Sequence, residues 1–190
     1  MPLWLGFVLF QVGWLTIILG SQNNIFWAVV PLLIGFLIWE WRYTHRPDQT
    51  PLTTKYYVAR FLFAVLGYGA DSLLQSLQLI DFDTNTLGTA PGFAPIWLLL
   101  MWLWFSVTLS ACYQWLVGKA PVAAGFAAVF GPGAYWGASQ LTNVAIIEFW
   151  PFVFASGLFW GSLFGIVFYI EPISRLLVIP DDQKTIIEAA

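Results

Sequence analysis

The chain of 190 residues is 59% hydrophobic and only 9% charged, with a formal net charge of -3 at pH 7. A soluble domain carries about 25% charged residues, so this composition excludes an ordinary soluble domain and indicates a membrane protein. The seven Lys and Arg residues are scattered, which excludes the basic surface of a nucleic-acid-binding protein. Cys112 is the single cysteine, so an intrachain disulfide is excluded as well.

Long runs without charge predict membrane-spanning helices. A spanning helix needs about 20 apolar residues, whereas the strands of a membrane barrel alternate apolar and polar residues over about 10 positions. The charge-free runs are continuous, and they cover residues 1–39, 84–118, 120–147 and 149–170. The sequence therefore predicts an all-α fold, a six-helix transmembrane bundle. We place the six helices at residues 3–20, 24–41, 56–80, 96–117, 120–142 and 150–170.

The connections between these helices are polar or contain proline. The short turn SQNN at 21–24 predicts that helices one and two form an antiparallel pair. The segment 42–55 is rich in Pro, Thr and charge and predicts a water-exposed loop, while 81–95 contains two proline turns. Pro132 predicts a kink in helix five, because proline removes a backbone donor.

The distribution of charge predicts the orientation of the bundle. All seven cations fall on one side of it: Arg42, Arg46, Lys55, Arg60, Lys119, Arg175 and Lys184. The acids predicted on the opposite side are Asp81, Asp83 and Glu148. Since cytoplasmic loops carry the excess of Lys and Arg, both termini are predicted to be cytoplasmic. The predicted domains are a transmembrane domain at 1–172 and a short cytoplasmic tail at 173–190.

Helix three carries a polar stripe along one face. At about 100° per residue, Arg60, Asp71 and Gln78 fall on nearly one line, and Gly67 lies on the same line. Tyr57 and Gln75 flank this stripe. The opposite face is apolar and consists of Leu62, Leu66, Leu73, Leu77 and Ile80. A charged side chain at the bilayer centre costs about 2.5 to 3.5 kcal/mol on insertion scales, so the stripe is expected to face the interior of the bundle or a cavity.

Asp71 is the acid predicted to lie well inside the membrane. Arg60 precedes it by about 16 Å along the helix, so the two cannot pair directly. The partners expected for Asp71 are Gln75, Gln11, Asn143 and Gln140. Two interpretations stay open: a polar ligand site, or a buried carboxyl that fixes helix packing through hydrogen bonds. The candidate ligand-binding residues are Asp71, Gln75, Gln11, Tyr68, Gln78 and Asn143.

Glycines recur at helical spacing in helices five and six. Small residues let neighbouring helices approach closely in a membrane. The candidate helix-packing residues are Gly157, Gly161, Gly165, Gly131, Gly133 and Gly137. They predict tight packing within one chain, with a homodimer face on helix six as the alternative. The GPG sequence at 131–133 is also compatible with carbonyl groups exposed to a cavity.

The sequence contains few groups suited to catalysis. His45 is the only histidine and lies in the loop at 42–55, so neither a Ser-His-Asp triad nor a histidine-rich metal site is expected. The acids of DFD at 81–83 indicate an acidic outer loop. We therefore predict no catalytic residue, no metal and no cofactor. A lipid-modifying enzyme is a further hypothesis, and it would depend on Asp71, Glu148 and Tyr68.

Three motifs resemble those of a known family. FQxGW in helix one, GxxxDS in helix three and GPGAYWGA in helix five resemble an uncharacterised family of small bacterial inner-membrane proteins, a domain of unknown function, over about residues 3–170. The resemblance implies a bacterial multi-pass protein of the inner (plasma) membrane, in a setting of fatty-acid modification or stress response. GYGADSLLQ is also similar to a pattern in vitamin-uptake substrate-binding subunits, although Gln75 and Ser76 stand where those proteins usually have glycine.

The polar stripe and the abundant aromatic residues together predict a binding function. We expect a non-enzymatic module that binds or transports a small apolar or amphiphilic, lipid-like molecule in an intramembrane cavity near Asp71. The alternative is a membrane scaffold or accessory subunit for partner proteins, in which Asp71 is structural. The expected partners are membrane lipids, a small amphiphilic ligand, and either a membrane protein or a second copy of the chain.

Overall fold

The described part of the chain contains seven α-helices, two short 3-10 turns and one short β ladder. The computed structural model describes residues 3–44, 54–83, 89–90 and 92–178. The elements are, in chain order, α1 (Leu3–Ser21), α2 (Val29–Thr44), α3 (Thr54–Ser76), β1 (Ile80–Asp81), α4 (Ile96–Cys112), α5 (Ala120–Leu141), β2 (Ala145–Ile146), α6 (Phe149–Tyr169) and α7 (Glu171–Leu177). The prediction of a helical fold is confirmed, and α1, α3 and α6 are long and apolar enough to cross a membrane.

Helix α4 is the most deeply buried of these helices, because α1 and α3 both pack against it. Two of its tryptophans contact different neighbours. Trp104 lies against Gly13 of α1, and its Nε1–H donates to the Phe10 carbonyl over 3.0 Å. Trp102 lies against Gly67 of α3. A Cβ at either glycine would overlap the indole ring, so any larger residue there would have to displace the ring.

Helices α5 and α6 pack against each other through small residues. The glycines of α6 at this contact are Gly157, Gly161 and Gly165. They lie against Ala124 and Ala128 of α5, so this packing is within one chain. Pro132 removes the N–H that would bond to the Ala128 carbonyl inside α5. A Cβ at Gly157 would stand only 3.0 Å from that carbonyl oxygen.

The glycines of α5 have different surroundings. Gly131 lies against the Trp160 ring of α6, whereas Gly133 and Gly137, predicted as helix-packing residues, would have nothing within 4 Å of an added Cβ. The reason is the helical period. Gly133 and Gly137 are rotated from Gly131 by about 200° and 240° around the axis, so they face away from α6.

Helix α3 ends four residues before the predicted position. Ser76 is its last residue, and Gln78 has a φ of 56°, in the left-handed region that interrupts a helix. The chain then enters β1, which pairs antiparallel with β2 so that Ile80 opposes Ile146. Ile80 was predicted on the apolar outer face of helix three, but it lies beyond that helix and is fully buried.

Two other helix boundaries differ from the predicted positions. Helix α2 begins at Val29 instead of 24, because Asn24 has a φ of 56° and a 3-10 turn, Phe26–Ala28, comes first. Its Pro31 consequently lies in the first turn, where a missing N–H costs no helical bond. Helix α4 ends at Cys112 instead of 117, and the thiol of this residue is fully buried.

The segment after α6 contains a short helix that the sequence did not indicate. Within α7, Arg175 pairs with Glu171 over 2.6 Å, while Leu177 and the following Val178 are buried. Several residues of the predicted loop and tail lie outside the described ranges: His45, Arg46 and Lys184. The six-span count, the orientation and the domain limits at 1–172 and 173–190 stay predictions.

Candidate functional site

Asp71 is fully buried, and side chains from two other helices hydrogen-bond to it. Trp102 of α4 donates its Nε1–H to Asp71 Oδ2 over 2.7 Å. Tyr135 of α5 donates its hydroxyl to Asp71 Oδ1 over 2.5 Å. The prediction that helix three turns its aspartate into the protein agrees with this burial. The expected partners were glutamine and asparagine, however, and the observed partners are a tryptophan and a tyrosine.

A fourth residue fixes the direction of these hydrogen bonds. Trp160 of α6 lies with its Nε1 3.4 Å from Tyr135 Oη. An indole N–H only donates, so the tyrosine oxygen accepts from Trp160 and its own hydrogen points to Asp71. Both carboxyl oxygens of Asp71 thus accept hydrogen bonds from side chains of other helices. We call Asp71, Trp102, Tyr135 and Trp160 the aspartate cluster.

Glycines one turn earlier in each helix position the two indoles. Gly67 precedes Asp71 by four residues, and the Trp102 ring lies against Gly67, where a Cβ would overlap it. Gly131 precedes Tyr135 by four residues, and the Trp160 ring lies against Gly131 in the same way. Residues four apart share one face of a helix. Each ring therefore packs against a glycine while its N–H reaches the polar side chain one turn later.

Four of the other predicted ligand-binding residues, on α3 and beyond it, lie away from Asp71 or bond to other groups. Tyr68 donates to the Ala94 carbonyl over 2.6 Å, and Gln75 donates to the Phe93 carbonyl over 3.2 Å. These two side chains thus hold the segment that leads into α4. Gln78 is exposed in the turn after α3. Asn143 donates to Asp83 Oδ2 over 3.0 Å, near the β ladder.

A cavity of about 660 Å³ lies beside the aspartate cluster. Its wall is made mainly of aromatic and small side chains from α1, α4, α5 and α6. All four cluster residues belong to this wall. Of the six predicted ligand-binding residues, the structure brings Asp71 and Gln11 to it, and it places the other four elsewhere. Among the described residues, no Lys, Arg or His lines the cavity.

The cavity opens between α1 and α5. Gln11, Gly133, Phe130 and Trp136 line it and are also exposed on the outside of the protein, the last two at 60% and 56%. Gly133 has no neighbour within 4 Å of an added Cβ. The cavity therefore reaches the surface of the protein beside α1 and α5.

Comparison with protein families identifies the chain. Residues 3–166 match the family described as "Protein of unknown function (DUF2878)". The chain belongs to this family. The resemblance predicted from the sequence is therefore confirmed for the family itself. No curated protein and no solved structure matches the chain.

The three motifs on which the family resemblance rests share one structural feature. Each supplies a glycine that accommodates a tryptophan ring of another helix. In FQxGW the glycine is Gly13, which lies against Trp104; in GxxxDS it is Gly67, and in GPGAYWGA it is Gly131. In this member of the DUF2878 family, the motifs thus form contacts between α1 and α4, between α3 and α4, and between α5 and α6. Two of the three tryptophans, Trp102 and Trp160, also line the cavity.

A second buried polar group joins α2, α3 and α4, and sequence reasoning missed it. Glu40 Oε2 accepts from Arg60 over 2.8 Å, and its Oε1 accepts from the Tyr56 hydroxyl over 2.8 Å. Arg60 also donates to Ser110 Oγ over 3.0 Å. Glu40 and Arg60 are 5% and 2% exposed. The polar stripe of helix three therefore serves two separate sites about 16 Å apart along the helix.

Proposed function

We propose that this protein spans a bacterial inner membrane with six helices and binds or transports a small apolar or amphiphilic molecule in the cavity beside Asp71. The observation that carries the proposal is the 660 Å³ cavity with a fully buried carboxylate in its wall. No catalytic role is required of that carboxylate. It orders the two indoles and the tyrosine that shape the cavity.

The size and chemistry of the cavity support binding of a small molecule. Ligand pockets have volumes of about 300 to 1,000 Å³ and are mostly apolar, with a few polar groups that fix orientation. The lining includes Phe10, Trp14, Phe105 and Phe130, and its polar groups are few. Acidic residues within spanning segments also tend to mark substrate or ion sites. An apolar or amphiphilic occupant suits such a wall.

The positions of charge support the proposed orientation. Lys55 lies in the first turn of α3, Lys119 precedes α5, and Arg175 follows α6. Chain direction puts these three at one end of the helices. Asp81, Asp83 and Glu148 follow α3 or precede α6 at the other end. By the positive-inside tendency, the end with lysine and arginine faces the cytoplasm, as would both termini.

A substitution that fills the opening of the cavity without disturbing helix contacts tests this proposal. Gly133→Leu adds a side chain at the mouth, where an added Cβ meets nothing within 4 Å. Gly125→Leu is the matched control, because Gly125 is exposed on the same helix, also has free space, and does not line the cavity. Native mass spectrometry of the purified proteins measures what each retains beyond bulk lipid.

We expect a retained small molecule on the wild-type protein and on the Gly125→Leu variant, and loss of it from Gly133→Leu. Asp71→Asn tests whether the cluster shapes the cavity, and it is expected to weaken retention. A wild-type protein that carries nothing beyond bulk lipid would contradict the binding proposal. The scaffold alternative would then be tested by crosslinking in cells, with capture of a defined membrane partner as its supporting result.

A further inference from the structure

Gln11 is an unusual residue for the middle of a spanning helix. It lies about 12 Å from the first residue of α1 and about 15 Å from the last. Its side chain is exposed, lines the cavity, and has no hydrogen-bond partner among the described residues. A polar group without a partner in an apolar medium costs about 2 kcal/mol or more. In the proposed membrane setting, Gln11 therefore needs a partner beyond the described residues.

The chemistry of the amide restricts that partner. A glutamine side chain both donates, through its NH₂ group, and accepts, through its carbonyl oxygen. A hydroxyl or an amide satisfies both functions in one group. A pure hydrocarbon satisfies neither. The polar end of the occupant is therefore expected to carry a hydroxyl or an amide.

The charges near the cavity indicate that this occupant is neutral. An anionic group would lose its hydration on entering this apolar cavity, and among the described residues no cation lines the wall to compensate it. Burying an ion without a compensating partner is very costly. A cationic group gains little in exchange for its lost hydration, because Asp71 is fully buried and both of its oxygens already accept hydrogen bonds. An uncharged polar group avoids both costs.

We propose, on the basis of the proposed function, that the occupant is an uncharged amphiphile whose hydroxyl or amide group hydrogen-bonds to Gln11. Its apolar part fills the aromatic interior of the cavity. The opening between α1 and α5 lies along the helices and away from their ends, so in the proposed membrane setting such a molecule reaches Gln11 from the bilayer. Gln11 acts here as a binding residue that selects the polar group.

The test compares four probes with the same ten-carbon chain: decanol, decane, decanoic acid and decylamine. Radiolabelled probes are equilibrated with the protein in phosphatidylcholine nanodiscs, and binding to empty nanodiscs is subtracted. Gln11→Leu removes the amide at nearly constant size. Gln140→Leu is the matched control, because Gln140 is also exposed but does not line the cavity. Thermal unfolding of each variant confirms that it is folded.

We expect the wild-type protein to bind decanol more tightly than the other three probes. Gln11→Leu should weaken decanol binding by about two- to tenfold, the effect of one hydrogen bond, and leave decane binding unchanged. Gln140→Leu should behave as wild type. Equal binding of decane and decanol, a preference for a charged probe, or an unchanged affinity of Gln11→Leu for decanol would overturn this inference and leave the proposed function intact. Absence of binding by all four probes would count against both.

Discussion

Trp102 and Trp160 stack face to face, with ring centroids 4.7 Å apart and planes inclined by 15°. Their indole N–H groups donate to different members of one hydrogen-bonded pair, Trp102 to Asp71 and Trp160 to Tyr135. The four side chains come from α3, α4, α5 and α6. Because the four side chains form a closed loop of contacts, a substitution at one of them is expected to disturb the packing of all four helices. The first two predictions test this loop.

Gly67→Ala is expected to destabilise the protein by about 1 to 3 kcal/mol, the usual cost of overpacking a core. The added Cβ would overlap the Trp102 ring and push its N–H away from Asp71. Gly69→Ala is the control on the same helix, since Gly69 is exposed with nothing within 4 Å. Unfolding in mixed micelles of increasing SDS content measures the free energies. Equal losses for the two variants would show that the Trp102 contact is not the cause.

Tyr135→Phe is expected to lower the free energy of unfolding by about 1 to 3 kcal/mol. The substitution leaves Asp71 with one hydrogen-bond donor and Trp160 without an acceptor. Tyr113→Phe is the control: Tyr113 is equally buried, lines the same cavity, and its hydroxyl has no hydrogen-bond partner in the part of the chain that the structure describes. A double-mutant cycle with Asp71→Asn measures the coupling. We expect about 0.5 to 3 kcal/mol for contacting residues, and additivity would contradict the hydrogen bond.

Glu40→Gln is expected to be strongly destabilising, by about 3 to 5 kcal/mol, because it leaves the buried Arg60 without its counter-charge. Glu171→Gln removes the acid of a surface ion pair with Arg175, and we expect it to lower the free energy of unfolding by less than about 1 kcal/mol. Both variants are compared by unfolding in SDS. Combining Glu40→Gln with Arg60→Met should recover part of the loss, and a double variant no better than the single one would argue against a charge effect.

Alanine substitutions at the three α6 glycines are expected to change the free energy of unfolding by different amounts. A Cβ at Gly157 meets the Ala128 carbonyl oxygen at 3.0 Å, and that backbone atom cannot move aside easily. At Gly161 the nearest atom is the Ala128 Cβ at 3.1 Å, and at Gly165 it is the Ala124 Cβ at an ordinary 3.4 Å. We therefore expect Gly157→Ala to be the most destabilising and Gly165→Ala to be neutral or stabilising, through the higher helix propensity of alanine. The reverse order of unfolding free energies would refute the packing described.

The sequence predicted the helical fold and the buried face of α3 because both follow from simple periodicities. Charge-free runs of helical length predict spanning helices in a membrane. The spacing of Arg60 and Asp71 places both residues on one face of α3. The end of α3 was not predictable in this way. Apolar residues continue through Leu79 and Ile80, and the interruption is a backbone rotation at Gln78 that hydropathy does not encode.

The partners of Asp71 escaped prediction for a chemical reason. Trp102 and Tyr135 count as aromatic in any apolar pattern, yet each carries one hydrogen-bond donor that can act inside an apolar interior. They also lie 31 and 64 residues along the chain from Asp71, so no local spacing connects them. The glycines four residues before Asp71 and Tyr135 were the available signal. Glycine followed one turn later by a polar residue marks a face on which an aromatic ring can lie.

The complete burial of Cys112 makes the native chain suitable for chemical labelling. It is the only thiol in the sequence, and it is shielded from reagents in water or lipid. A cysteine introduced at Gly133 would therefore be the single reactive sulfur of an otherwise unaltered polypeptide. Its rate of alkylation, with and without decanol, would report whether the gap between α1 and α5 is vacant or filled.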